Sequence, residues 1–180
     1  METIDVALIG SRGVGYLHPH FDAKEQTFEE SVDDALYQRV LDVNGSLVVM
    51  RIHDLQMRAN GSVNWFRLEE ADAVFFFYAA DADDTFFDLL DQMNVILAHC
   101  KPGALRFLVG TRADNAVTVT SASGQQLAND IGAWFAMTSI NSPLSIERVF
   151  FSAANTVIQR RSGVEEEDTA EVCKSDCVVM

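Results

Sequence analysis

Apolar and polar positions divide the chain into short blocks, and their period assigns most of them. Thr3 to Ile9 carries Ile4, Val6, Ala7, Leu8 and Ile9 with little polar surface between them, the pattern of a buried strand. Ala35 to Val43 and Ser46 to Ile52 are two apolar runs joined by Asn44-Gly45, the pair that supplies the positive φ angles of a tight hairpin. From His53 to Leu68 no period is visible, which predicts a long connection with a helical turn near Trp65 to Glu70. Ala73 to Ala79, AVFFFYA, again reads as buried strand.

Asp83 to His99 places Phe86, Phe87, Leu90, Met93, Ile96 and Leu97 at helical spacing, with Asp83 and Asp84 as caps and Lys101-Pro102-Gly103 as the stop. Leu105 to Gly110 predicts a strand, Ser121 to Ala133 a helix, Trp134 to Ser139 a last strand and Ser145 to Ile158 a last amphipathic helix. After one early hairpin, strands and helices alternate. The expected fold is therefore a three-layer α/β domain whose sheet is mostly parallel with one antiparallel hairpin, and whose ligand crevice lies at the carboxyl ends of the strands. The expected domain spans residues 1–160. Residues 161–180 lack an apolar period and carry GVEEED, the composition of a flexible acidic tail.

At 180 residues, 48% hydrophobic and 22% charged, the chain is sized for one globular domain with a full core. Its net charge of −14 repels nucleic acid and anionic lipid and suits basic protein partners. No stretch reaches the roughly eighteen unbroken apolar residues of a membrane span, and the start METIDVALIG is acidic where a signal peptide is cationic, so a cytosolic protein is expected. Cys100, Cys173 and Cys177 are an odd number with two near the end, which argues for reduced thiols.

The stretch IGSRGVGYLHPHF, from Ile9 to Phe21, follows the first strand directly and is rich in glycine. Alone it fits a strand-to-helix turn in any doubly wound fold. With the order of the later blocks, FLVGTRAD and FAMTSIN among them, it resembles the Ras-type small GTPases from Ile4 to Arg160. In that family G-x-x-x-x-G-K-[S/T] holds phosphates, a threonine and D-x-x-G form two switches, N-K-x-D reads guanine and S-A-K backs the base. The resemblance places Gly10, Ser11, Arg12, Gly13, Val14, Gly15 and Tyr16 in the phosphate loop, Phe21 over the guanine ring and Thr27 in the first switch. It places Asp54 on the magnesium side, Thr111, Arg112 and Asp114 at the guanine motif, and Ser139-Ile140-Asn141 where S-A-K belongs, with Ser139 and Ile140 behind the base. It implies GTP or GDP with Mg2+ as ligands, with Thr27 and Asp54 toward the metal.

The chemistry departs from the family more than the framework does. Tyr16 replaces the lysine that pairs with the outer phosphates, a contact worth roughly 4 kcal/mol at about 4 Å and an effective dielectric near 20, or about a thousandfold in affinity. Leu17 replaces the hydroxyl that holds magnesium. Arg12 is the one nearby cation, able either to compensate or to fill the pocket. After Asp54, Met57 stands where D-x-x-G requires glycine; in the register one residue earlier, His53 and Gln56 take the two positions. Eleven residues separate Gly15 from Thr27, fewer than the family interval, and Pro19 interrupts them, so the first helix is short or replaced by a loop. Weak or absent GTP hydrolysis is the expectation, with an active GTP/GDP switch as the alternative. Asp114 keeps the type that accepts from guanine donors, and a solvated loop residue or helix cap is its other reading.

Other groups add less. His18, His20, His53 and His99 lack the spacing of a metal site, and Asp81, Asp83 and Asp84 fit a capped helix start. Thr27 to Asp34, TFEESVDD, resembles the family's effector segment, whose acidic residues would steer a basic partner; a solvated acidic loop is the equal alternative. Cys177-Val178-Val179-Met180 match C-a-a-X, with methionine favouring a farnesyl group. One lipid chain holds a membrane only marginally. The tail adds no polybasic signal, leaving Cys173 as a candidate palmitoyl site or the protein cycling between membrane and a soluble carrier. The reading is a lipid-anchored signalling protein that acts on effectors or regulators and on the cytoplasmic face of a membrane, without nucleic acid.

Overall fold

In the computed structural model, residues 1–11, 14, 34–57, 63–139 and 141–163 are described. The elements are β1 (Glu2–Gly10), β2 (Asp34–Val43), β3 (Ser46–Gln56), α1 (Trp65–Glu70), β4 (Ala73–Ala79), α2 (Asp83–His99), β5 (Leu105–Thr111), α3 (Ser121–Ile131), β6 (Trp134–Met137) and α4 (Pro143–Arg161). Six strands form one sheet in the order β2-β3-β1-β4-β5-β6, parallel throughout except for the β2–β3 hairpin. The expected three-layer, mostly parallel architecture is what the chain adopts.

Strand alternation divides the core in two. Val6, Leu8, Ile52, Phe75, Phe77, Phe107 and Val109 point to the face covered by α4, which contributes Val149, Phe150, Ala153 and Val157. Phe75 stacks between Phe107 and Phe150 at 4.7 and 4.8 Å. Ala7, Ile9, Val74, Phe76, Tyr78 and Leu108 point to the face covered by α1, α2 and α3. The continuous apolar run AVFFFYA is thus explained: a central parallel strand is buried on both sides.

The hairpin turns as expected, with Asn44 at φ 54 and Gly45 at φ 83, both left-handed. The reading of His53 onward as connection needs correction, because β3 runs to Gln56 in register with β1 up to Gly10↔Gln56. Polar His53 and Asp54 broke the apolar pattern. His53 enters the sheet buried because its Nε2 meets the Asp5 carboxylate of β1 at 3.0 Å.

In α2 the apolar positions are not all core: Thr85, Phe86, Leu89, Met93 and Ile96 are buried, whereas Phe87 and Leu90 are exposed. Asp83 and Asp84 lie within its first turn rather than at the cap, which is Ala82; they complement the helix dipole. Other ends also shift: β5 reaches Thr111, α3 stops at Ile131 because Gly132 turns left-handed, β6 ends at Met137, and α4 runs from Pro143, whose missing N–H suits a first turn, to Arg161.

At the amino ends of the strands a charged network replaces apolar contact. Asp72, just before β4, accepts from the Asp5 amide at 3.0 Å, from Lys101 Nζ at 2.9 Å and from Arg161 Nη2 at 2.7 Å. Asp5 accepts from Arg51 and His53. Burial pushes both carboxyls up, but these donors and cations outweigh it and hold both below the usual aspartate value.

Candidate functional site

Parallel strands deliver their carboxyl ends to one pole, and the predicted site residues within the described chain gather there. Gly10 ends β1, Asp54 lies near the end of β3, Thr111 ends β5, and Ser139 follows β6. Arg12, Gly13, Gly15, Tyr16, Phe21, Thr27, Ile140, Cys173 and Cys177 lie outside the described residues, as do Leu17 and most of the Thr27–Asp34 segment.

Thr111 is the hub of the pole. Its buried hydroxyl shares its one proton between the Val14 carbonyl at 2.6 Å and the Tyr78 carbonyl at 3.1 Å, and its own carbonyl accepts from the Ala80 amide at 2.8 Å. The end of β5 therefore holds both Val14 and the end of β4. Val14 is buried in the core, and its amide reaches back to the Ser11 carbonyl at 3.4 Å. Ser11 donates its hydroxyl to Asp88 of α2 at 3.0 Å, which brings a carboxylate beside the loop.

Arg112 takes the left-handed conformation at φ 56, and its Nη1 stands 3.4 Å from the Asp81 carboxylate. Asn115 also donates to Asp81. The two side chains use the carboxylate that the sequence offered as part of a helix start. The turn is closed over by Thr118 and Val119, whose amides share the Ala80 carbonyl at 2.8 and 3.0 Å, and by the Ala113 amide on the Thr138 carbonyl at 3.1 Å.

Asp114 is exposed on that turn. The Ser139 hydroxyl foremost, then its own backbone amide and the Asn141 carboxamide, hold its carboxyl below the usual range. The structure thus brings Thr111, Arg112, Asp114 and Ser139 together as one unit. Asn141, the last residue of the segment matched to S-A-K, also donates its amide to the Ser139 hydroxyl at 3.0 Å and its carboxamide to Asp114, and belongs to it.

Asp54 is buried on the α4 face, paired with Leu8 of β1 and Ala35 of β2. Together with burial, its charge raises the Tyr37 phenol above its ordinary value. Met57, three positions on, is partly buried against the apolar cluster beneath α1 and α2. Trp65 of α1 stacks on His99 of α2 at 4.3 Å, and Glu69 meets the same ring at 2.9 Å, which fixes the helix that follows Met57. Among the described residues no group of three or more His, Cys, Asp or Glu is arranged to hold a metal ion.

Chemically, the exposed Asp114 carboxylate, held below the usual range beside the left-handed turn at Arg112, is an acceptor for external N–H donors. A family model described as Ras family matches residues 5–159. Curated relatives include the Ras-related protein RABE1d of Arabidopsis thaliana, 26% identical over 165 residues that cover 87% of this chain and 76% of that one. The Ras-related protein RAB1BV of Beta vulgaris is 26% identical over 176 residues, covering 93% and 82%. The GTP-binding protein yptV2 of Volvox carteri is 26% identical over 168 residues, covering 89% and 77%.

Proposed function

Because the chain belongs to the Ras family, a family of small GTP-binding proteins, we propose that it acts in signal transduction mainly by binding protein partners, with weak or absent hydrolysis of GTP. The observation that carries this reading is Met57. Where D-x-x-G has a glycine, a thioether side chain is packed against the core, and the residue before it, Gln56, is still paired in the sheet with Gly10. The backbone after Asp54 is committed to the sheet instead of being free to fold over a phosphate. Tyr16 and Leu17 in the sequence, and Asp88 beside Ser11, support the same reading from the phosphate side, since each removes a favourable contact or adds negative charge.

Family members bind GTP or GDP with Mg2+, and that metal neutralises phosphate charge when it is present. By motif, Thr27 and Asp54 would face the metal, Gly10, Ser11, Arg12, Gly13, Val14, Gly15 and Tyr16 the phosphates, and Phe21, Thr111, Arg112, Asp114, Ser139 and Ile140 the base. The braced Thr111–Val14 contact and the ionised Asp114 favour a second reading, an active GTP/GDP switch that retains nucleotide by its base end.

Effector or regulator proteins would dock on the acidic Thr27–Asp34 segment and continue along β2, which is an edge strand of the sheet and can be extended by main-chain hydrogen bonds. Cys177 would carry a prenyl group and Cys173 a reversible acyl chain, giving peripheral residence on a membrane. No helix among the described residues is long and apolar enough to cross one. The test is to denature the purified chain, identify any nucleotide released, and measure turnover of GTP with Mg2+. Little retained nucleotide and slow turnover are expected; a stoichiometric GDP load with partner-independent hydrolysis would establish the switch instead.

A further inference from the structure

Helix α2 shows solvent two adjoining rows of different chemistry. Phe87, Leu90 and Asn94 follow one another at steps of three and four, so they share one face of the helix, and Phe87 and Leu90 are 57% and 37% exposed. Asp84, Asp88 and Asp91, at steps of four and three, form the stripe beside them and are all exposed. Phe87 is therefore bounded by Asp83 and Asp84 one turn before it and by Asp91 one turn after it. The helix has no lysine or arginine, and its one histidine, His99, is turned to Glu69 at 2.9 Å and stacked on Trp65.

The opposite face of the helix is already used: Leu89, Met93 and Ile96 are buried in the cluster that holds Val74 and Phe76 of β4. The exposed rows select a partner by charge and by shape. A carboxylate stripe attracts cations and repels anionic lipid, and a chain of net charge −14 repels a second copy of itself. A helix is the matching shape, because residues at steps of three and four on one helix form ridges that fit the grooves of another. The 17 residues of α2 offer it about 25 Å of length.

We propose that this face of α2 is a docking surface for a basic amphipathic helix of a partner protein, whose apolar row lies on Phe87 and Leu90 and whose adjoining cations lie on Asp84, Asp88 and Asp91. Arginine suits the cationic row better than lysine, since a planar guanidinium can pair with a carboxylate and cover the Phe87 ring together. The surface is separate from the edge strand β2: α2 packs on β4, three places along the sheet from that edge. It does not depend on whether nucleotide is bound or hydrolysed.

The test titrates the full chain into two labelled helical peptides that share a leucine row, one with arginine along the adjoining row and the other with glutamate, and follows fluorescence anisotropy at low and high salt. The arginine peptide is expected to bind about a hundredfold more tightly than the glutamate one and to weaken with salt. Phe87→Ser combined with Leu90→Ser should cost about tenfold or more. Asp84→Asn combined with Asp91→Asn should cost about fivefold and flatten the salt dependence. Asp130→Asn, at an exposed carboxyl of α3, should change the affinity by less than about twofold. Phe86 meets the Phe87 ring edge-on at 6.2 Å, so Leu90→Ser alone, which keeps that contact, decides the matter if the double variant melts lower. No binding of the arginine peptide at millimolar concentration, equal affinity for both peptides, or binding that survives the loss of Phe87 and Leu90 would overturn the proposal. So would an equal loss in Asp130→Asn, the mark of bulk charge acting without a site. A dimer of the chain, or binding to neutral lipid vesicles, that the Phe87 and Leu90 changes abolish would give the face to another occupant and overturn it as well.

Discussion

The hydroxyl of Thr111 and the carbonyl of Val14, 97 positions apart, are joined by a buried hydrogen bond of 2.6 Å. It ties Val14 to the last residue of β5. Thr111→Val keeps the shape and removes the donor from two buried carbonyls, those of Val14 and Tyr78. A loss of about 1–3 kcal/mol is expected in urea unfolding. Hydrogen exchange at the Val14 amide should accelerate beyond that global loss.

Gly124 of α3 faces Tyr78 and Phe135 so closely that an added Cβ would lie 2.5 Å from Phe135 Cε2 and within contact of the Tyr78 hydroxyl. Alanine in a helix gains about 1 kcal/mol over glycine, whereas overpacking costs about 1–3 kcal/mol. Tyr78 is fully buried with Phe86 edge-on at 5.0 Å, so it has no room to retreat, and the overpacking term wins. Gly124→Ala is expected to melt lower by about 2–6 °C, and a calorimetric scan checks it.

The Asp72 node makes stability dependent on acid. Its carboxyl, like that of Asp5, is held below the unfolded value, so the stabilisation is fully present above about pH 4 and is lost as pH falls through the folded value. Asp72→Asn should cost about 1–3 kcal/mol at neutral pH, since the Asp5 amide, Lys101 and Arg161 all lose a charged acceptor. It should also flatten the loss of stability below about pH 4. Urea midpoints measured from pH 2 to 7 for both proteins read the two effects together.

Cys177→Ser is expected to move the full chain from membrane to soluble fractions without altering its melting temperature. Equal fractionation of the two proteins in cells that prenylate C-a-a-X sequences would remove the lipid anchor from the proposed function.

How much of this was legible in the sequence depended on whether the signal was local. Ala73–Ala79 and Asp83–His99 were read to their ends because burial on both faces, and a 3.6-residue period bounded by an acidic start and Lys101-Pro102-Gly103, are written in consecutive residues. The last residues of β3, from His53 to Gln56, were not. His53 breaks the apolar run, and what admits it to the sheet is Asp5, 48 positions earlier, a pairing no window along the chain contains. Phe87 and Leu90 fail for a related reason: the period marks two possible apolar flanks of α2, and only the neighbouring elements decide which is covered. At the carboxyl pole, motif order singles out Thr111, Asp114 and the Ser139–Asn141 segment, but the carboxamide contact that ties Asn141 to Asp114 spans 27 positions and is not written in either motif.

Arg161, the last residue of α4, grips the Thr3 carbonyl at 2.8 Å and Asp72 at 2.7 Å, at the opposite pole from Thr111 and Asp114. The end of α4 is thereby pinned to the start of β1 and the approach to β4, so the first and last described elements are knotted together at one pole, and the opposite pole owes its shape to side chains that this clamp does not touch.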